Sequence, residues 1–256
     1  MLFKWYKKRR QEEKQLQRNI NEIKKNITLI NASRALNNEN IFHFPMLGEE
    51  ITLYLPFSSF DFIQSEILTK ADFYEGSILR HVRRTYFSGT PCNVLDIGAN
   101  IGNHSIFFSK FCNATVHSFE PQPAIFQILE KNIALNSVPV TPHQFALGQT
   151  EGRAEIQDYN PRNTGATAFN ESTSGTFPIF PLDHFSFNNI YFIKLDVEGF
   201  ENYTIRGAKE TLRRNRPILW IEIGPEKFNE VSQLLDSYGY KIKEKLSNVD
   251  FVFTPK

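Results

Sequence analysis

The chain has 256 residues, 41% of them hydrophobic and 22% charged, and a net charge of +1. Such a balance supplies no global field to attract nucleic acid or a membrane, and a chain of this length buries roughly 70–75% of its unfolded surface without a disulfide or metal staple. At roughly 100–200 residues per domain, the length predicts one domain with an appendage.

Residues 1–38 differ from the rest. Leu16, Ile20, Ile23, Ile27 and Ile30 are spaced four, three, four, three, a heptad seam set among Gln, Glu, Lys and Arg. The seam is shorter than a persistent coiled coil needs. Two readings therefore stay open: an amphipathic helix docked on its own domain, or a homo-oligomer formed through residues 16–30. Ahead of the seam, "KWYKKRR" concentrates basic charge. It reads either as a solvated helix start or, with Phe3 and Trp5, as a peripheral contact with an anionic membrane. No apolar leader and no stretch of 18 apolar residues is present, so neither export nor a transmembrane helix is expected. Cys92 and Cys112 stand alone, without a Cys-x-x-Cys, which fits a reducing compartment; the expected location is cytoplasmic.

Residues 40–62 carry β-favouring aromatics broken by Pro45, Gly48 and Pro56, which predicts a small hairpin within a β-containing segment, 39–72. Next, "DFYEGSILRHVRRTYF" places Leu79, Val82 and Arg83 on helical spacing before a turn at Gly89. From residue 92 the pattern becomes regular. Strand-length apolar runs at 92–97, 115–119, 140–145, 191–195 and 218–223 alternate with helical stretches at 101–111, 124–135 and 201–213. This predicts an α/β domain over 73–256, with βαβ units and a mostly parallel sheet. A helix at 227–238 should lead into two strands joined through Ser247 and Asn248, an antiparallel C-terminal edge. Residues 153–180, rich in Gly, Ser, Thr and Asn, have no helical period and are expected to form a long substrate-side lid.

The first strand ends "VLDIGANIG". In an open α/β sheet, ligands bind beyond the carboxyl ends of the strands. Gly98 and Gly102 let the backbone turn tightly, and the next helix presents unpaired N–H groups there. The second strand ends at Glu120, suited to a ribose diol. NAD sites share these features, but here Asn100 stands where a dinucleotide fingerprint carries glycine, and Asp96 would repel a pyrophosphate. S-adenosylmethionine has no phosphate and carries an ammonium and a sulfonium, so Asp96 favours it.

"VLDIGANIGNHS", "FEPQP", "ALG" at Ala146 and "IKLDVEGFE" at Ile193 occur in order, with "FYEG" at Phe73 and "RNTG" at Arg162 beside them. Together they resemble the FkbM-type methyltransferases, a family of the class I Rossmann-like fold, over residues 73–256. The resemblance implies S-adenosylmethionine as cofactor, held by Tyr74, Glu75, Asp96, Gly98, Ala99, Asn100, Gly102, Asn103, Glu120, Pro121, Ala146 and Asp196. It implies methyl transfer to a small-molecule or glycan acceptor, most often at a hydroxyl of a sugar or a natural product, with no nucleic-acid partner. The rivals are an NAD-linked oxidoreductase and a non-catalytic, self-associating binding protein.

"KLDVEGFE" brings Lys194, Asp196, Glu198 and Glu201 to the tip of the fourth strand. Asp196 would face the cofactor or the acceptor, and Glu198 would be a base or a substrate ligand. Glu201 is expected to complement a helix dipole, and Lys194 to pair structurally. Glu222 ends the fifth strand; with Asp196 it is the alternative seat of a Mg²⁺ ion, which is not favoured. Asp196, Glu198 and Glu222 are the candidate catalytic residues. His104 reads as a base or, more often, a helix-surface residue near the pocket.

Overall fold

The apolar runs assemble around one seven-stranded sheet. The computed structural model describes residues 7, 10, 11, 14–21, 23, 36, 39–158, 168–171 and 175–256. The sheet uses β3 (Cys92–Ile97), β4 (Ala114–Phe119), β5 (Val140–His143), β10 (Ile190–Leu195), β11 (Ile218–Glu222), β12 (Tyr240–Lys245) and β13 (Asp250–Pro255), in the order β12-β13-β11-β10-β3-β4-β5. The pairings from β11 across to β5 are parallel, while β13 runs antiparallel between β11 and β12. This is the class I methyltransferase Rossmann-like arrangement, with the antiparallel C-terminal edge that the sequence predicts. The chain leaves β3 toward β4 on one side and returns to β10 on the other, so the strand order reverses between them and opens a crevice at their carboxyl ends.

Burial on both faces explains the apolar runs. Val94, Phe192, Trp220 and Val252 point into one core, whereas Leu95, Ile193, Leu219 and Phe253 point into the other. The first core is covered by α1 (Phe62–Lys70), α2 (Gly76–Tyr86), α3 (Asn103–Cys112) and the hairpin β1 (Ile41–Met46)–β2 (Glu49–Tyr54). The second lies under α5 (Glu201–Arg206), α6 (Lys209–Asn215) and α7 (Phe228–Ser237).

The hairpin is tied to α4 (Pro123–Asn136) by asparagine amides. Asn132 Oδ1 accepts the Tyr54 N–H at 2.6 Å, and Asn136 Oδ1 accepts the Thr52 N–H at 3.2 Å. Asn136 Nδ2 returns a bond to the Thr52 carbonyl at 2.7 Å. Four residues of helix rise about 6 Å and two residues of strand about 6.6 Å, so an i, i+4 pair matches alternate strand residues. Asn132 is fully buried and also donates to the Ile101 carbonyl at 2.9 Å. Asn132→Ala is expected to cost about 1–3 kcal/mol, because it strands buried partners; urea denaturation measures it.

Three expectations change, and one element is added. Helix α1 follows the hairpin inside the β-containing segment 39–72; Asp61 caps it by accepting the Gln64 N–H at 2.9 Å. The predicted helix at 201–213 breaks near Gly207, where a Cβ would lie 1.9 Å from the Gly148 carbonyl, because another backbone passes there. The predicted strand at 140–145 stops at His143, and the chain enters a second sheet. That sheet replaces the structureless lid: β6 (Ala146–Leu147), β7 (Gly152–Asp158), β8 (Ala168–Glu171) and β9 (Phe177–Phe180) pair in the order β6-β9-β7-β8. Its strands are short, and the intervening Gly, Ser, Thr and Asn hide their alternation in the sequence. "RNTG" lies outside the described residues, as do Ile27 and Ile30 of the N-terminal seam. Leu16, Ile20 and Ile23, within or beside the helical residues 14–21, are exposed. Among the described residues, no helix is long and apolar enough to cross a membrane.

Candidate active site

The glycine turn after β3 builds the first wall of a cavity. Gly98 has φ +81°, and a Cβ there would sit 1.7 Å from the Asp196 carbonyl oxygen, so only glycine fits between the two strand tips. The Gly98 and Ala99 N–H groups both donate to the Phe119 carbonyl at 3.0 Å. Asn100, at φ +49°, turns its N–H onto Glu120 Oε2 at 3.1 Å. The other carboxylate oxygen of Glu120 accepts the Gln122 N–H at 2.8 Å. Two backbone amides thus aim a buried carboxylate at the crevice. Burial pushes Glu120 up to about 7 against the pull of those amides, with Asp196 and Asp96 adding to the rise.

The cavity, counted with the open space at its mouth, spans about 790 Å³. Tyr74, Gly98, Ala99, Asn100, Asn103, Glu120, Pro121, Ala146, Asp196 and Glu198 line it, all of them anticipated from the sequence. Tyr74 is clipped to α3 by Asn103, whose Oδ1 accepts the Tyr74 N–H at 2.9 Å and whose Nδ2 donates to the Tyr74 carbonyl at 3.0 Å. Burial raises the Tyr74 phenol, and the carboxylates of Glu75, Glu222 and Asp196 raise it further.

Asp96 lies behind the wall instead of facing the cavity. Strand periodicity puts it on the face of Val94, where α3 covers it completely. Its Oδ2 accepts from Ser105 Oγ at 2.5 Å, and Ser105 Oγ also meets Ser118 Oγ at 2.6 Å. Lys194 is its register partner on β10, 2% exposed, and donates to Asp196 Oδ2 at 2.8 Å. Burial acts to lower the Lys194 pKa, but Asp196, Asp96 and Glu75 outweigh it, and the net direction is up. Asp96 therefore supports a lysine that holds Asp196, and the carboxylates exposed to the cavity are Glu120, Asp196 and Glu198.

Glu75 and Gly102 are also absent from the cavity lining. Glu75, at φ +56°, contacts His104 Nε2 at 3.1 Å. Burial opposes its ionisation, but that hydrogen bond, the imidazole charge and Lys194 bring the Glu75 pKa below the usual value. Gly102, at φ +87°, caps α3 where a Cβ would strike Leu129 at 2.7 Å. Its role is packing the turn.

A second cavity of about 710 Å³ adjoins the first and shares Asp196 and Glu198 with it. Glu201, Glu222, Glu226 and Lys227 complete its polar wall. Glu198 stands at the shared mouth at φ +48°, solvent-exposed on one side. Desolvation on its walled side, with Asp196 and Glu201 near it, pushes its pKa up to about 7. Burial and then Asp196 push Glu222 up to about 8. Glu222 thus belongs to this second cavity and not to the first. Among the described residues, no group of three or more His, Cys, Asp or Glu is arranged to hold a metal ion.

The sequence model of the Methyltransferase FkbM domain matches residues 96–242, more than half of the chain. The chain belongs to the FkbM methyltransferase family. It is similar to Methyltransferase 1 of Beauveria bassiana (strain ARSEF 2860), 22% identical over 179 residues that cover 58% of this chain and 72% of that protein. Among solved structures, Methyltransferase FkbM from Methylobacillus flagellatus KT aligns with a TM-score of 0.46 and 16% identity. That alignment covers 88% of this chain and 57% of the other, so this chain spans little more than half of that structure's length. TYW2 of M. jannaschii, solved in complex with AdoMet, aligns with a TM-score of 0.44 and 13% identity, over 86% of this chain and 89% of that one.

Sequence reasoning missed the apolar side of the first cavity. Ile63, Phe119, Phe145, Leu147, Val197 and Phe200 line it, and in the sequence they look like any other core residue. His104 was legible only as a position. It is 6% exposed, lines the cavity and stands edge-on to Trp220 at 5.3 Å between ring centroids, so it is an interior residue and not a helix-surface one.

Proposed function

We propose that the chain transfers a methyl group from S-adenosylmethionine to a hydroxyl of a sugar or glycan, with a small natural product as the alternative acceptor. The observation that carries this reading is Glu120. Its two oxygens each hold one backbone amide, it is 4% exposed, and it lines a cavity that Asp196 also lines. A ribose diol supplies the donors that such a carboxylate lacks. Glu120 would serve the ribose of NAD as well; Asp196 suits a cationic group and would repel a pyrophosphate at the start of α3, which disfavours NAD.

When bound, S-adenosylmethionine supplies an electrophilic methyl group on its sulfonium. Glu120 would hold the ribose, the turn at 98–103 the backbone-facing edge, and Asp196, steadied by Lys194, the cationic end. Orientation of donor and acceptor across the shared mouth of the two cavities is worth up to about 7–11 kcal/mol in favourable cases. Glu198 is the base we assign to the acceptor hydroxyl: it takes the proton as the oxygen–methyl bond forms, and its pKa of about 7 suits neutral pH.

Calorimetry with S-adenosylhomocysteine and NAD tests the cofactor; binding of NAD alone would overturn it. Glu120→Ala is expected to weaken S-adenosylhomocysteine at least tenfold, since each charge-assisted hydrogen bond is worth about 1.5–3 kcal/mol. Unchanged affinity would remove Glu120 from the site.

A further inference from the structure

Besides Asp196 and Glu198, the second cavity carries the carboxylates of Glu201, Glu222 and Glu226, which the proposed methyl transfer does not use. Five carboxylates, on Asp196, Glu198, Glu201, Glu222 and Glu226, line it; among the described residues Lys227 supplies the one ammonium on its wall, and Lys194 pairs with Asp196. Lys227 Nζ is bound to the Gly199 carbonyl, which fixes it to the wall. Glu201 is 2% exposed; its Oε1 accepts the Gly199 N–H at 2.7 Å, while its buried Oε2 has no hydrogen-bond partner among the described residues. A buried carboxylate oxygen without a donor is costly. The wall is therefore built with acceptors in excess of donors and, once Glu198 and Glu222 ionise, with negative charge in excess of positive.

The occupant should supply what is lacking. A neutral polyol brings donors but leaves the charge uncompensated. A divalent ion brings charge, but the described residues offer no cluster of three or more ligands to enclose it. An organic ammonium brings both, spread over several acceptors. The cavity shares Asp196 and Glu198 with the cofactor cavity, so its occupant lies where a methyl acceptor must lie. We propose that this cavity binds the methyl acceptor and that the acceptor carries a protonated amine, as an amino sugar does. The proposal rests on the methyltransferase reading above.

A proton signature supports it. Burial and the neighbouring Asp196 raise Glu222 to about 8, while Lys194 opposes and Asp250 and Glu75 add to the rise; Glu198 stands at about 7. An ammonium beside these groups favours their ionised forms, so binding near pH 7 should release protons. A neutral sugar should not.

The test titrates D-glucosamine, D-glucose and N-acetyl-D-glucosamine into the full chain, with and without S-adenosylhomocysteine, whose own binding is measured first. Glucosamine is expected to bind at least tenfold more tightly than the other two, with a calorimetric enthalpy that varies with the buffer's ionisation enthalpy. Glu226→Gln should reduce that preference several-fold while S-adenosylhomocysteine still binds. Equal binding of the three sugars, no binding of any, or a preference untouched by Glu226→Gln overturns the proposal. Failure of S-adenosylhomocysteine to bind the native chain overturns the cofactor reading instead, and the sugar preference in its absence still decides the charge of the acceptor.

Discussion

Replacing Lys194 with methionine is expected to destabilise the fold by about 3–5 kcal/mol, the range for removing one partner of a buried ion pair. Methionine keeps most of the volume and removes the charge. Left behind are Asp96, fully buried with its Oδ1 unpartnered among the described residues, and Asp196, whose Oδ2 loses its bond to Lys194 Nζ. Asp196 is partly exposed, with 26% of its side chain accessible, so water recovers part of its loss and Asp96 carries most of the penalty. Adding Asp96→Asn to the variant should recover much of the stability, because the uncompensated charge is then gone. Urea denaturation of the single and double variants measures both; a loss under 1 kcal/mol for the single variant would show that Lys194 is not the counter-ion. The pH dependence follows from the raised Lys194 value. The contribution is fully present below the unfolded value of 10.5 and is lost as pH rises through the higher folded value. The native chain should therefore lose stability in that alkaline range, and Lys194→Met should lack this component.

The strand tips were legible in the sequence because their chemistry is local. Asp96, Glu120, Asp196 and Glu222 each end an apolar run, and run lengths locate strands. Which way each carboxylate points was not legible. One step of a period-two strand decides between cavity and core, and Asp96 fell on the side covered by Ser105 and α3. Lys194 was readable as a partner, but its link to both Asp96 and Asp196 depends on β10 lying beside β3, a long-range pairing. The second sheet was hidden for a different reason. Its four strands run from two to seven residues, too few for a pattern to rise above the polar residues between them. Helix α1 is nine residues long and begins where the aromatic-rich segment ends at Phe62, and its cap at Asp61 is the local signal that marks its start.

Glu198→Gln is expected to lower kcat by about 10²–10⁴, the usual contribution of a positioned base, while leaving S-adenosylhomocysteine affinity near the native value. The amide keeps the shape at the shared mouth of the two cavities but cannot take a proton. A base must be ionised, so kcat/KM for the acceptor, measured at saturating donor, should fall as pH drops through about 7, and the variant should lack that limb. Glu120 also titrates near 7, which would confuse a profile taken at low donor concentration. Its protonation weakens the cofactor's hold on the enzyme, so it enters kcat/KM for the donor and vanishes from the acceptor profile once the donor saturates. Measuring both with each variant separates them: Glu120→Ala should raise KM for the donor, and Glu198→Gln should lower kcat. Glu222 is the competing base. Its value of about 8 would set the limb one unit higher, and Glu222→Gln would then abolish it. A limb near 8 in kcat/KM for the acceptor that survives Glu198→Gln would transfer the role to Glu222; a limb near 7 lost only in Glu198→Gln would fix the proton's destination at the boundary of the two cavities.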